Sequence, residues 1–240
     1  MRKMTLISLL CLSSLSMAHP VSSPSGNAKS PHFDVVKTQV FKKGTFLVFQ
    51  MKLSDKAGTE LPAATGQLGG SQVYSYVWPT TLDSSVVGFE SGQGVLALAA
   101  TSHPDFDDTP LYDENDDGDV KNDGTLWHTH WVVLTPDDAC GPGHLKVKDI
   151  PAGTTPRLPA TWPGLPILID SPGYPPLLKN TVVEVQVPLK ELGFNTSFQF
   201  DGVTAGLQVN ASVHSPLLCV TDVFDVASGN LSLPGTVTLP

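Results

Sequence analysis

The residues with the clearest capacity for chemistry lie in one stretch, residues 103–131. Two histidines, His128 and His130, flank one threonine in the run Trp-His-Thr-His-Trp. Side chains two positions apart on a β-strand share a face, so both imidazoles are expected to project together while Trp127, Thr129 and Trp131 point the other way. Two imidazoles at this spacing can bind one Zn, Cu or Fe ion. The pair therefore predicts a transition-metal site on a strand, with zinc or copper as the cofactor.

Further ligands for this site are expected from the residues after the apolar segment 94–100. His103 follows that segment, and Asp105, Asp107 and Asp108 come directly after it. We predict His103 as the third ligand, with Asp105 or Asp107 either binding the metal or orienting an imidazole ring. His144 and His214 are weaker candidates. The alternative is that His128 and His130 are half-buried strand residues hydrogen-bonded to nearby carboxylates.

Acidic residues are concentrated in the same stretch, since nine of the 23 Asp and Glu residues lie within residues 105–123. The segment 113–119 follows the start of a calcium-binding loop, in which oxygens at alternate positions converge on a hard cation and Gly118 permits the sharp turn. The bidentate Glu expected at position twelve of such a loop is replaced by Gly124. The pattern predicts calcium ligands at Asp113, Asn115, Asp117 and Asp119, and the alternative is a solvated acidic loop.

The amino-terminal residues predict export. Arg2 and Lys3 precede an apolar stretch that ends at a Ser-Met-Ala sequence, which is typical of a signal peptide removed after Ala18. We expect residues 1–18 to be the signal peptide, residues 19–31 a flexible segment and residues 32–240 a single β-rich domain, in a secreted or periplasmic protein without a membrane span. Cleavage there would make His19 amino-terminal, which is a second and weaker candidate for copper binding.

Charge and cysteine content agree with that compartment. The formal net charge is −9, and it becomes −11 without Arg2 and Lys3, which argues against nucleic acid and anionic membranes as partners. Once Cys11 leaves with the signal peptide, Cys140 and Cys219 remain, and an oxidising compartment favours a disulfide between them. Sequons at Asn195, Asn210 and Asn230 would accept glycans in a eukaryotic secretory pathway.

The hydrophobic pattern predicts an all-β fold. Short segments with period-two alternation occur between Gly, Pro and Asp turns, for example at residues 45–53 and 181–189. We expect an antiparallel β-sandwich or barrel-like domain with long acidic and Pro-rich loops. The eight prolines of residues 151–176 exclude a central strand there, and the apolar residues among them predict an ordered segment lying over the sheet.

The histidine pair is similar to motifs of two known families. His128-Thr-His130-Trp131 is similar to the His-x-His-Trp strand of α-type carbonic anhydrases, and cupins also carry His-x-His on a strand, but the downstream ligand motifs of both families are absent.

Three functions fit these observations. The first is a secreted or periplasmic metal-binding β-protein. The second is a non-catalytic surface or polymer-binding module, in which strand aromatics and acidic loops bind an extracellular polymer or protein. The third is a metal-dependent secreted enzyme, which would need a water-accessible metal.

Overall fold

The fold was determined as a computed structural model that describes residues 17–194, 197–212 and 216–238. Strands make up 41% of the chain and helices 5%, which confirms the predicted all-β class. The strands are β1 (Met17–His19), β2 (Val21–Ser22), β3 (Val35–Lys43), β4 (Phe46–Leu53), β5 (Gln72–Pro79), β6 (Val95–Ser102), β7 (His128–Pro136), β8 (Leu145–Val147), β9 (Ile169–Asp170), β10 (Leu177–Lys179), β11 (Val182–Pro188), β12 (Ser197–Phe200), β13 (Val203–Val209), β14 (Leu218–Val226) and β15 (Gly235–Thr238). Short 3-10 helices occupy Ser84–Val87, Asp138–Cys140 and Leu189–Leu192.

Six antiparallel strands close into a barrel. Their order is β6, β5, β13, β14, β8 and β7, and the pairing of β7 with β6 completes the circle. The short strand β9 pairs with the same edge of β7 as β8 does, opposite Trp131 and Val132. The joint between β8 and β14 is the shortest, because it rests on the single register pair Lys146 and Cys219. A disulfide between Cys140 and Cys219 crosses the same joint.

A second sheet packs on the outer face of the barrel. Its order is β10, β11, β4, β3 and β2, and a smaller sheet of β1, β15 and β12 lies beside it. The alternation of β11 buries Val183, Val185 and Val187 and leaves Glu184 and Gln186 partly exposed. The apolar core between the sheets is rich in aromatic rings, and Phe49 makes edge contacts with both Trp78 and Trp131.

The barrel interior is a separate apolar core that contains a cavity of about 130 Å³. Small side chains such as Ala99 and Ala205 leave this space open between larger residues such as Val77 and Val132. At the end of the barrel where β6 begins, the cavity is lined by residues that are exposed to solvent: Val95, Val223 and Leu231. At the opposite end it is lined by His103, Asp108 and His130.

The Pro-rich segment 151–176 and the amino-terminal segment 19–31 also have defined positions. In the Pro-rich residues 151–176, Ile167 and Ile169 are buried with the barrel core. Within residues 19–31, β2 pairs with β3, and the backbone amides of Gly26 and Asn27 donate to the Asp34 carboxylate. The predicted signal peptide lies outside the described residues except for positions 17 and 18. No helix in the described part of the chain is long and apolar enough to cross a membrane.

Candidate metal centre

The pairing of β6 with β7 places the two strand histidines inside the barrel. His128 lies opposite Thr101, and His130 lies opposite Ala99. Alternate residues of a strand share a face, so the histidines share theirs with Val132, which lines the barrel cavity. Two residues beyond Thr101, His103 continues the same inward-facing row past the end of β6.

Four buried side chains bring their ligand atoms together at this end of the barrel. The Nε2 atoms of His103, His128 and His130 lie 3.2, 3.1 and 3.1 Å from Oδ1 of Asp108, and Nε2 of His103 lies 3.0 Å from Nε2 of His128. All four residues are at most 5% exposed. The three imidazoles and one carboxylate therefore form a His3Asp cluster, which we define as His103, Asp108, His128 and His130.

Hydrogen bonds on the far side of each ring determine which nitrogen carries the proton. Nδ1 of His103 lies 3.0 Å from the carbonyl oxygen of Phe106, and Nδ1 of His128 lies 2.8 Å from that of Leu126. A carbonyl oxygen only accepts, so Nδ1 must donate in both rings. In the neutral rings, Nε2 therefore presents a lone pair to the centre of the cluster.

Ser171 imposes the same arrangement on His130. The Ser171 hydroxyl donates to the carbonyl oxygen of Asp108 at 2.7 Å, and its oxygen lies 3.1 Å from Nδ1 of His130. Because the hydroxyl proton is already committed, Nδ1 of His130 is the donor in this contact. Ser171 thus orients two members of the cluster at once, which is the usual role of a group that supports a metal ligand.

The long loop between β6 and β7 is held closed beside the cluster. The His103 amide donates to the carbonyl oxygen of Gly124 at 2.7 Å, and the ring of Phe106 stacks on the His103 ring at 3.9 Å between centroids. A Cβ atom at position 124 would lie 1.8 Å from the carbonyl oxygen of Phe106. Only glycine therefore allows the two ends of this loop to approach so closely.

The charges of the cluster are strongly coupled. Burial alone would raise the pKa of Asp108, but the surrounding imidazoles outweigh burial and hold that pKa well below its ordinary value. Burial would lower the pKa of His128, whereas its close contact with the Asp108 carboxylate raises it. For His130 burial prevails and lowers the pKa. At neutral pH the cluster thus holds an ionised carboxylate and at least one uncharged imidazole.

The cluster has the donor set and spacing of a transition-metal site. Oδ1 of Asp108 and Nε2 of His130 lie 3.1 Å apart, yet both are buried and neither has a hydrogen-bond partner. A regular tetrahedron with edges of 3.1 Å has its centre about 1.9 Å from each corner, close to the ~2.0–2.1 Å of a Zn–N bond. A cation at that centre would satisfy the unpartnered atoms, so the cluster can bind a metal ion.

Asp105 and Asp107, the carboxylates predicted from sequence as metal ligands, lie outside the His3Asp cluster. Asp105 accepts the backbone amides of Thr65 and Gly66, which hold its pKa below the ordinary value, and it lies outside the His3Asp cluster. Asp107 belongs to a second group of three carboxylates with Glu114 and Asp123. Burial raises the pKa of Glu114. In the described residues these three carboxylates and the His3Asp cluster are the only such groups of three or more His, Cys, Asp or Glu side chains.

In the predicted calcium loop, the side-chain oxygens accept hydrogen bonds from backbone amides of the same loop. Asp113 accepts from the amides of Asp117 and Gly118, Asn115 accepts from the amide of Asp117, and Asp117 accepts from the amide of Asp119. Asp116 and Gly118 both have positive φ angles, 59° and 90°, which permit this tight turn. Asn115, Asp117 and Asp119 are exposed and Asp113 is partly buried, and their carboxylates do not form a group of three.

Two members of the site carried no distinctive sequence signal. Asp108 was one of three aspartates near His103, and Ser171 lies 41 positions after His130 within the Pro-rich segment. Of the remaining histidine candidates, His144 contacts the carbonyl oxygen of Val220 and His19 lies in β1, both outside the cluster. His214 falls outside the described residues, as does the sequon at Asn195.

The aromatic side chains considered for polymer binding lie mainly in the core. Trp78, Trp131 and Tyr76 are fully buried, while Tyr74 and Trp127 are partly buried against the same core. They therefore do not form an exposed platform.

Comparisons with protein-family models, with curated proteins and with solved structures give no match. The chemistry of the site is therefore the available indication of its function.

Proposed function

We propose that this protein is an exported metal-binding β-barrel protein whose His3Asp cluster holds one transition-metal ion, zinc or copper. The observation that carries the proposal is the convergence of three buried Nε2 atoms on one carboxylate oxygen of Asp108, at 3.1–3.2 Å. Without a cation, the centre holds more acceptors than protons. A hydrogen-bonded structural network would instead place a donor between each pair of acceptors.

The choice of zinc or copper follows from the ligands. Imidazole nitrogen suits zinc, copper, iron and nickel, and a set of three nitrogens and one oxygen at tetrahedral spacing is one that zinc accepts readily. Calcium and magnesium favour all-oxygen sites, so they fit this cluster poorly. Export is supported by the amino-terminal sequence and by the Cys140–Cys219 disulfide, which is characteristic of oxidising compartments.

Elemental analysis of the mature protein after dialysis against a mild chelator tests the proposal. We expect about one zinc or copper ion per chain in the wild type and none in the His128→Ala/His130→Ala variant. Histidine 144 offers a matched control, since His144→Ala removes an imidazole outside the cluster and should retain the metal. Asp108→Asn provides a second, nearly isosteric variant if the double variant does not fold, and it should bind the metal more weakly.

Two results would contradict the proposal. The first is a folded wild-type protein that retains no transition metal and takes up none when zinc or copper is added back. The second is an equal loss of metal from the His144→Ala and the cluster variants. Near-UV circular dichroism should accompany each analysis, because only a folded variant reports on the cluster.

A second candidate function, a metal-dependent enzyme acting on a small apolar molecule, is favoured by the barrel cavity. Three of the four cluster residues line this cavity, as does Thr101, whose buried Oγ1 has no hydrogen-bond partner. Its volume of about 130 Å³ is similar to that of an apolar cavity of ~150 Å³ that binds benzene in another protein. A molecule of that size would lie beside the metal with one hydroxyl available to orient it.

Azide binding to the copper-loaded protein separates an open metal site from a closed one. An open coordination position reached through the barrel predicts an azide-to-copper absorption band that is weakened by Ala205→Leu, which narrows the cavity away from the ligands. Absence of the band in the wild type would show a closed site and leave metal binding alone as the function. A band unaffected by Ala205→Leu would exclude the cavity as the access route.

A further inference from the structure

The second group of carboxylates lies on the same loop as two of the cluster ligands. Asp107, Glu114 and Asp123 each bring one carboxylate oxygen within 4.8 Å of the others. Asp123 is completely buried, and the other two are partly buried. No Lys or Arg of the described chain forms an ion pair with them, since the Lys and Arg ion pairs found there join Lys146 to Asp137 and Asp149. Three carboxyl groups thus meet without an ion pair to Lys or Arg.

Two oxygens of this group have no partner although they are buried. Asp123 Oδ1 and Glu114 Oε2 are inaccessible to solvent and accept no hydrogen bond. An unsatisfied buried carboxylate oxygen is strongly unfavourable, because the charge has lost its hydration. A bound cation is the natural means of compensating both oxygens together.

Three other oxygens of the group are held in place by the backbone. Asp107 accepts from the amides of Thr109 and Asp123, both at 2.8 Å, and the other oxygen of Asp123 accepts from the amide of Glu114 at 2.9 Å. These hydrogen bonds orient the carboxylates before any ion arrives. Oδ1 of Asp107 also accepts from the Thr109 hydroxyl at 3.1 Å. Oδ2 of Asp107 and Oδ2 of Asp123 each retain a second lone pair for a cation.

We infer that Asp107, Glu114 and Asp123 form a calcium site, separate from the ligands predicted from sequence, which are Asp113, Asn115, Asp117 and Asp119. The ligands are all oxygens, and Ca²⁺ accepts carboxylates in mono- or bidentate mode. Oxygens on opposite sides of a Ca²⁺ ion are about 4.8 Å apart at a ~2.4 Å bond length. The three carboxylate oxygens lie within 4.8 Å of one another, so one ion can contact all of them. The partial exposure of Asp107 and Glu114 leaves access for water ligands.

Calcium at this position would also organise the transition-metal ligands. Asp107 directly precedes Asp108, and Gly124, which follows Asp123, accepts the His103 amide. Calcium binding therefore restricts the loop that supplies His103 and Asp108. This coupling rests on the proposed function, whereas the calcium site itself does not. Reciprocal linkage requires each metal to strengthen binding of the other.

Titration of the full mature chain with CaCl2, followed by calorimetry, tests the inference. The wild type should bind one Ca²⁺ at this site, and Asp123→Asn should weaken binding at least about tenfold because a charged ligand is lost. Asp119→Asn is the matched control: it makes the same substitution in the exposed part of the loop and should leave the affinity within about threefold. Glu114→Gln should reproduce the Asp123→Asn result and replaces it if the buried variant does not fold.

The outcomes distinguish the two metal sites. No calcium binding by the folded wild type, or loss of binding in Asp119→Asn with retention in Asp123→Asn and Glu114→Gln, would overturn the inference. Repeating the titration with the His128→Ala/His130→Ala variant separates the claims. Calcium binding that persists in this variant would show that the calcium site does not depend on the transition metal. Calcium binding by a wild-type protein that binds no transition metal would support the calcium site while refuting the proposed function.

Discussion

Removal of the Ser171 hydroxyl should weaken metal binding although Ser171 is not itself a ligand. Its hydroxyl orients His130 through Nδ1 and holds the Asp108 backbone, and the residue is 1% exposed, so water cannot replace it easily. Loss of such a supporting group typically lowers metal affinity about 10- to 100-fold, which corresponds to about 1.4–2.7 kcal/mol. Unpairing two buried polar groups should also reduce the free energy of unfolding by about 1–3 kcal/mol.

Competition with a chromophoric chelator measures this affinity directly. Ser75→Ala is a suitable control, because Ser75 is equally buried in the barrel and donates to the carbonyl oxygen of Ala205 without touching the cluster. We expect Ser75→Ala to lose about 1 kcal/mol of stability and to keep its metal affinity within about threefold. If Ser171→Ala bound the metal as tightly as Ser75→Ala, the orientation of His130 by Ser171 would be irrelevant to binding and the reasoning would fail.

Two further predictions concern stability. The Cys140→Ser/Cys219→Ser variant should lose about 4 kcal/mol of unfolding free energy in urea, because the disulfide closes a loop with a sequence separation of 79, and a loss below about 1 kcal/mol would contradict this. Burial raises the pKa of Asp170 from 3.8 to about 6, so the folded state binds more protons than the unfolded state between these two pH values. The free energy of unfolding therefore declines as the pH rises through this range to about 6. Asp170→Asn should therefore gain up to about 3 kcal/mol relative to wild type between pH 4 and pH 7, and a pH-independent difference would show that Asp170 titrates normally.

The fold class follows from alternation because one-sided burial leaves a clear pattern in the sequence. In β11, three valines alternate with Glu184 and Gln186, as expected for a strand with one buried face. In contrast, the irregular pairing of β3 after Val35 and its three lysines obscure the alternation there. The start of β13 at Val203 is equally hard to predict, because Thr204, Ala205 and Gly206 resemble a turn although all three are buried in the barrel wall.

The candidate site could be predicted only as far as local geometry reaches. Strand geometry alone places His128 and His130 on one face. Selection of Asp108 from three nearby aspartates depends on the path of the loop, which is set by the close approach of Gly124 to Phe106. Ser171 reaches His130 through the pairing of β9 with β7, and the second carboxylate group joins residues 16 positions apart. Such contacts arise from tertiary packing, so no local pattern predicts them.

Anomalous diffraction from crystals of the zinc-loaded mature protein, recorded on both sides of the metal absorption edge, tests the central claim most directly. We predict one anomalous peak at the centre of the His3Asp cluster, about 2.0–2.2 Å from Nε2 of His103, His128 and His130 and from an oxygen of Asp108. The same crystals without metal should show no peak there. A loaded protein whose zinc lies elsewhere, with the three imidazoles and Asp108 still in mutual contact around an empty centre, would contradict the account.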